Sequence, residues 1–118
     1  MSEKYPLEER TTIFSEKTIT FLKKIKPSTI NTPLISQLVR SATSIGANYM
    51  EANNASSRKD FQNKIYICKK EAQETKYWFT LLTKADPSIK GDVAELLDEV
   101  QQLILIFQKI ISTMKTGN

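Results

Sequence analysis

The 118-residue sequence has no histidine and a single cysteine, Cys68. One cysteine cannot build a disulfide framework. Without histidine there is no cysteine–histidine zinc site and no imidazole base. Three glycines and four prolines leave little for a turn-rich β protein. The longest apolar run, Leu103–Phe107, falls far short of the ~20 residues of a membrane helix. The opening residues Met1 to Pro6 carry no apolar stretch of the signal-peptide kind. With a free thiol suited to a reducing compartment, these absences predict a cytoplasmic location without membrane contact. No Walker loop, G-x-G-x-x-G or G-x-S-x-G is present. The expectation is a protein without catalytic residues, resident metal or cofactor.

What remains is ordinary globular material: 40% hydrophobic and 25% charged residues, enough for one domain over residues 1–118 that buries roughly two-thirds of its unfolded surface. The formal charge of +4 is unevenly spread. Residues 57–86 carry seven basic and four acidic side chains, whereas residues 28–56 carry only Arg40 and Glu51.

No segment alternates with period two, and four segments repeat apolar residues at helical spacing. The first, about 6–26, places Ile13, Phe14, Phe21, Leu22 and Ile25 together and ends at Pro27. The second, about 33–53, has Thr32 as N-cap and Pro33 at the first helical position; Leu34, Ile35, Leu38, Val39, Ala42, Ile45, Tyr49 and Ala52 form its apolar face. The third, about 57–85, opens on Ser57-Arg58-Lys59-Asp60, which is similar to a capping box, and presents Phe61, Ile65, Cys68, Ala72, Phe79 and Leu82. The fourth, about 88–115, starts at Asp86-Pro87 or a turn later at Gly91-Asp92 and carries Val93, Leu96, Val100, Leu103, Phe107, Ile110 and Ile111. Four long helices with short connections predict an all-α, up-and-down four-helix bundle.

The apolar faces exceed what one bundle needs. Leu105 and Ile106 point away from the main stripe of the fourth helix. Tyr66, Ile67 and Trp78 lie outside that of the third, and the back of the second carries Ser44, Gly46 and Ala47. Such surfaces predict self-association, with cyclic symmetry an economical route.

Two polar groupings stand apart. Arg40, Ser44 and Glu51 share a narrow arc of the second helix, with Ser41 and Asn48 beside it. Arg40 and Glu51 are about 16 Å apart along the axis and cannot pair with each other. In an antiparallel hairpin centred near Ala55, residue i faces residue 110 − i, so Arg40 should meet Glu71 or Glu74, and Glu51 should meet Arg58 or Lys59. The first reading of these groups is a register-setting polar layer. The paired acids Glu71/Glu74 and Glu95/Asp98 are otherwise salt-bridged surface, with a hard-cation site as the minor alternative. Second, Arg58, Lys69 and Lys76 fall on one line of the third helix, while Lys59, Lys70 and Lys84 form another about 100° round. These are either a solvated face or a phosphate-neutralising one. Glu71 and Glu74 interrupt the stripe in sequence. Tyr66, Tyr77 and Trp78 are available either to stack on bases or to pack.

Residues 37–52, QLVRSATSIGANYMEA, resemble the core motif Q-L-x-R-S-x-x-S-I-x-A-N-I-x-E-G of the 23S ribosomal RNA intervening-sequence proteins. Ser57 to Phe61 is similar to that family's S-x-x-D/E-F helix start, and Lys70 to Thr75 with Trp78 fits one branch of it. Tyr49-Met50 replaces a small aliphatic pair and Ala52 a glycine, so the hairpin is expected to be shaped differently here. The resemblance makes Arg40, Ser41, Ser44, Asn48, Glu51, Asp60 and Phe61 motif residues, read as architectural. It implies a four-helix bundle assembled as a ring, commonly a pentamer. A related branch binds a reverse transcriptase and nucleic acid. The expected partners are therefore further copies of the chain, RNA or DNA through Arg58, Lys59, Lys69, Lys70 and Lys76, or, in the alternative, a docked partner protein such as a reverse transcriptase.

Overall fold

The computed structural model describes residues 6–117. These form helix α1 (Leu7–Leu22), α2 (Asn31–Asn53), α3 (Arg58–Ala85), a 3-10 turn (Pro87–Ile89) and α4 (Lys90–Gly117), with no strand among the described residues. Each helix packs against its chain neighbour, and α1 closes the ring onto α4; the backbones of the diagonal pairs stay apart and meet only through side chains in the core. The result is an up-and-down four-helix bundle of 48 × 26 × 21 Å.

The helix ends follow local chemistry. α1 stops at Leu22, a turn before Lys26. Pro27 disfavours the helical conformation in the residue before it, and the chain tightens through Lys24 N–H to Phe21 O (3.1 Å) and Ile25 N–H to Leu22 O (3.2 Å). α2 is capped earlier than Thr32. Ser28 N–H donates to Asn31 Oδ1 (2.7 Å) and Asn31 N–H donates to Ser28 Oγ (3.0 Å), a reciprocal pair in the manner of a capping box. Pro33 then sits inside the first turn, where its missing N–H costs nothing. Asp60 N–H donates to Ser57 Oγ (3.0 Å) at the start of α3. Asp86 accepts from Ser88 N–H and Oγ–H at the 3-10 turn that feeds α4.

Phe14, Leu38, Ile45, Ile65, Phe79, Val100, Leu103 and Phe107 fill the interior. Tilted ring pairs link Phe21 to Phe79 (6.4 Å) and Tyr49 to Phe107 (6.2 Å). Val39, expected on the apolar face of α2, is exposed; at 100° per residue it lies at the edge of that stripe. Thr11 and Thr18 are buried instead. α1 and α2 approach closely at Gly46, where a Cβ would meet Thr11 Oγ1 at 3.2 Å.

Candidate nucleic-acid interface

The α2–α3 seam is polar along its rim. Arg40 donates to Glu71 (3.2 Å) and to Glu74 (2.8 Å), the pairing expected from the sequence. Glu71 is buried, its side chain 9% exposed, while the Arg40 side chain is 49% exposed. Burial alone would lower the Arg40 pKa. The charge of Glu71 and the hydrogen bonds to both carboxylates outweigh it, and the pKa is raised. Beneath this pair Thr75 donates to the Glu71 carbonyl (2.8 Å) and shares a 2.9 Å hydrogen bond with Ser41 Oγ. Ser44 Oγ donates to Arg40 O, and Asn48 donates to Ser44 O. With both Glu71 and Glu74 bonded to Arg40, the hard-cation alternative loses that pair. Among the described residues no three acidic or cysteine side chains gather as metal donors do.

Glu51 does not meet Arg58 or Lys59. It accepts from Lys64 Nζ at 2.7 Å, whose pKa this bond and the Glu51 charge raise. The cause is side-chain tilt. Each Cα–Cβ bond leans toward its own helix N-terminus. In this hairpin α2 side chains therefore lean away from the connection and α3 side chains toward it. The facing sum moves from 110 to about 115 at Ser41–Thr75 and Glu51–Lys64, somewhat more than one helical turn, while the long Arg40 side chain still spans Glu71 and Glu74.

The same geometry segregates charge on α3. Asp60, Glu71 and Glu74 lie on its α2 flank. The line of Arg58, Lys69 and Lys76 lies on its α4 flank: Arg58 donates to Met114 O (3.1 Å), Lys69 to Gln108 Oε1 (2.5 Å) and Lys76 to Gln101 Oε1 (2.8 Å). These amide and carbonyl partners leave the charges uncompensated. Between the two flanks, Lys59, Tyr66, Lys70, Tyr77 and Lys84 fall within about 40° of one another and face outward. No hydrogen bond or ion pair among the described residues engages Lys59, Lys70 or Lys84. The acids that interrupt the stripe in sequence are thus turned out of it in space. Leu105, 59% exposed, and Lys115, 5.9 Å over the Tyr66 ring, extend this face onto α4.

A second outer groove runs between α1 and α2, lined by Thr12, Ile19, Thr43, Gly46, Ala47 and Met50. With exposed Val39 it forms a strip of small and apolar residues, edged by Glu8 and Glu16, on the side of the bundle opposite the basic face. A third, of about 530 Å³, opens between α1 and α4, where Lys17, Lys24 and Lys26 face Asp86, Asp92 and Glu95. Arg10 and Glu99 bridge that seam through two bonds of 2.7 and 3.0 Å. This contact is not legible in the sequence, because a single Arg and Glu 89 positions apart carry no spacing signal. Phe61 packs half-buried against the core, and Asp60 sits at the first turn of α3. Cys68 is buried with its S–H toward Ile45 O (3.6 Å), and burial pushes its pKa up to about 12.

Residues 7–109 match the family model described as 23S rRNA-intervening sequence protein. The chain belongs to this family. A solved relative is a protein of unknown function from the S23 ribosomal protein family of Bacteroides thetaiotaomicron. It is 30% identical, with a TM-score of 0.80, over 90% of this chain and 98% of the relative. No curated protein matches the chain. Within this intervening-sequence protein the motif residues occupy the α2–α3 seam. Arg40, Ser41 and Glu51 bond across it, Ser44 and Asn48 bond along α2, and Asp60 and Phe61 stand at the start of α3.

Proposed function

We propose that this intervening-sequence protein is a non-catalytic, self-associating bundle that binds RNA or DNA through the outward face of α3. The observation that carries the reading is the sorting of charge around α3: its three acids stand on the α2 flank, while Lys59, Lys70 and Lys84 stand free, with Arg58, Lys69 and Lys76 beside them. Such a surface neutralises phosphates by charge and shape, without reading base edges. The apolar α1–α2 strip is the surface assigned to contact with further copies. Because it lies across the bundle from the lysines, self-association there leaves the basic face open and repeats it around a ring, for which the family resemblance suggests five subunits.

The test is charge reversal at the three free lysines. The K59E/K70E/K84E variant should lose nucleic-acid binding in a fluorescence-anisotropy titration and keep the wild-type helical spectrum and particle size. Unchanged affinity would remove this face from the account. Retained folding with no binding in either protein would favour a protein-docking role instead.

A further inference from the structure

We infer that the nucleic acid held by this face is single-stranded, with its bases stacking on Tyr66 and Tyr77; this rests on the nucleic-acid reading above. The two rings are 40% and 56% exposed. They lie within about 20° of one line, eleven residues and about 16 Å apart along α3. That distance matches about five bases at the ~3.4 Å stacked rise. The order along the helix is Lys59, Tyr66, Lys70, Tyr77, Lys84, alternating a cation with an aromatic ring over about 38 Å.

A duplex has no use for the rings. Its bases are enclosed, and its backbone asks only for charge. An unpaired strand offers both groups in alternation, phosphate and π-face, and each has a counterpart here. Each ring also has a neighbour that holds it. Lys115 Nζ lies over one face of the Tyr66 ring, 5.9 Å from its centroid, so a base stacks on the opposite face, and the Tyr77 and Trp78 rings meet edge-to-face with centroids 5.1 Å apart. Trp78 itself is half-buried, its Nε1 enclosed without a hydrogen-bond partner, so it supports Tyr77 and does not present a stacking face of its own. Stacking on any base is equally served, so the strand is expected to be bound without strong sequence preference.

The experiment uses the full chain, a fluorescein-labelled 12-nucleotide single strand of mixed sequence, and the same sequence as a duplex. Wild type should bind the single strand more tightly. Y66A/Y77A should lose at least tenfold in single-strand affinity while duplex affinity stays within twofold, and Y66F/Y77F should restore single-strand binding. Equal loss on both probes, or no loss on either, overturns the stacking assignment while leaving phosphate binding in place. A Y66A/Y77A protein that changes particle size without changing affinity also overturns it, by making the rings a contact between copies. If neither probe binds wild type, the underlying reading falls as well; wild-type binding that K59E/K70E/K84E loses while Y66A/Y77A keeps it leaves that reading standing and overturns the stacking assignment alone.

Discussion

Arg40 of α2 and Glu71 of α3 form a 3.2 Å ion pair in which the acid is buried and the base half-exposed. This pair ties the architecture to the surface. It holds the α2–α3 register and keeps a carboxylate off the outward face of α3. Because Glu71 sits where water reaches poorly, it depends on Arg40 more than Glu74 does, whose side chain is 40% exposed. Arg40→Ala is expected to cost about 2 kcal/mol, the scale for leaving a buried charged group without its hydrogen bonds. Glu74→Ala should cost under about 1 kcal/mol, as exposed pairs do. Urea unfolding of the two variants distinguishes them, and equal costs would contradict the burial argument.

Cys68 predicts an alkaline limit to stability. Its folded pKa is pushed up to about 12 by burial, against about 8.5 for a free thiol. A group whose folded pKa is raised contributes fully below the unfolded value and loses that contribution as pH rises. Between about pH 8.5 and 12 the unfolded chain releases a proton that the folded chain retains, a penalty reaching on the order of 5 kcal/mol. Cys68→Ala should therefore show a flatter fall in stability over this range than wild type, whatever its starting value. Parallel curves would show that the thiol does not titrate as its burial requires. The same burial predicts that a thiol reagent labels native Cys68 only as fast as the protein opens.

The α1–α2 strip makes its own prediction. Met50 and Ile19 are 50% and 40% exposed and line the groove between α1 and α2. Ile19→Glu with Met50→Glu should therefore leave the monomer folded and dissociate the assembly. Light scattering after size exclusion reads the change in mass. An unaltered mass with intact helicity would remove this strip from the proposed self-association.

The parts of the bundle that can be read from the sequence are those governed by local rules. Apolar spacing at 3.6 residues locates the helices, and Ser57 and Asp86 cap where short polar side chains should. The Arg40–Glu71 contact follows from a tight antiparallel hairpin. Three features resist such reading. The α2 start depends on Ser28 and Asn31 bonding each other, a capping-box geometry in which Asn stands where the usual sequence signature has Glu or Gln. Glu51 finds Lys64 because side-chain tilt advances the register by a turn, an effect that counting along the chain omits. The separation of acids from lysines on α3 emerges only once α2 defines which flank is covered. In sequence Glu71 and Glu74 break the basic stripe; in the bundle they belong to another surface.

The central claim, that the outward face of α3 neutralises phosphates, is tested most directly by the salt dependence of binding. Affinity of the wild-type protein for the 12-nucleotide strand should be followed from low to near-physiological salt. Engagement of at least three lysines predicts a log–log slope of about −2 or steeper, at roughly −0.7 per phosphate neutralised, and a slope near zero in K59E/K70E/K84E. A wild-type slope near zero, or one that the three substitutions leave unchanged, would contradict the account.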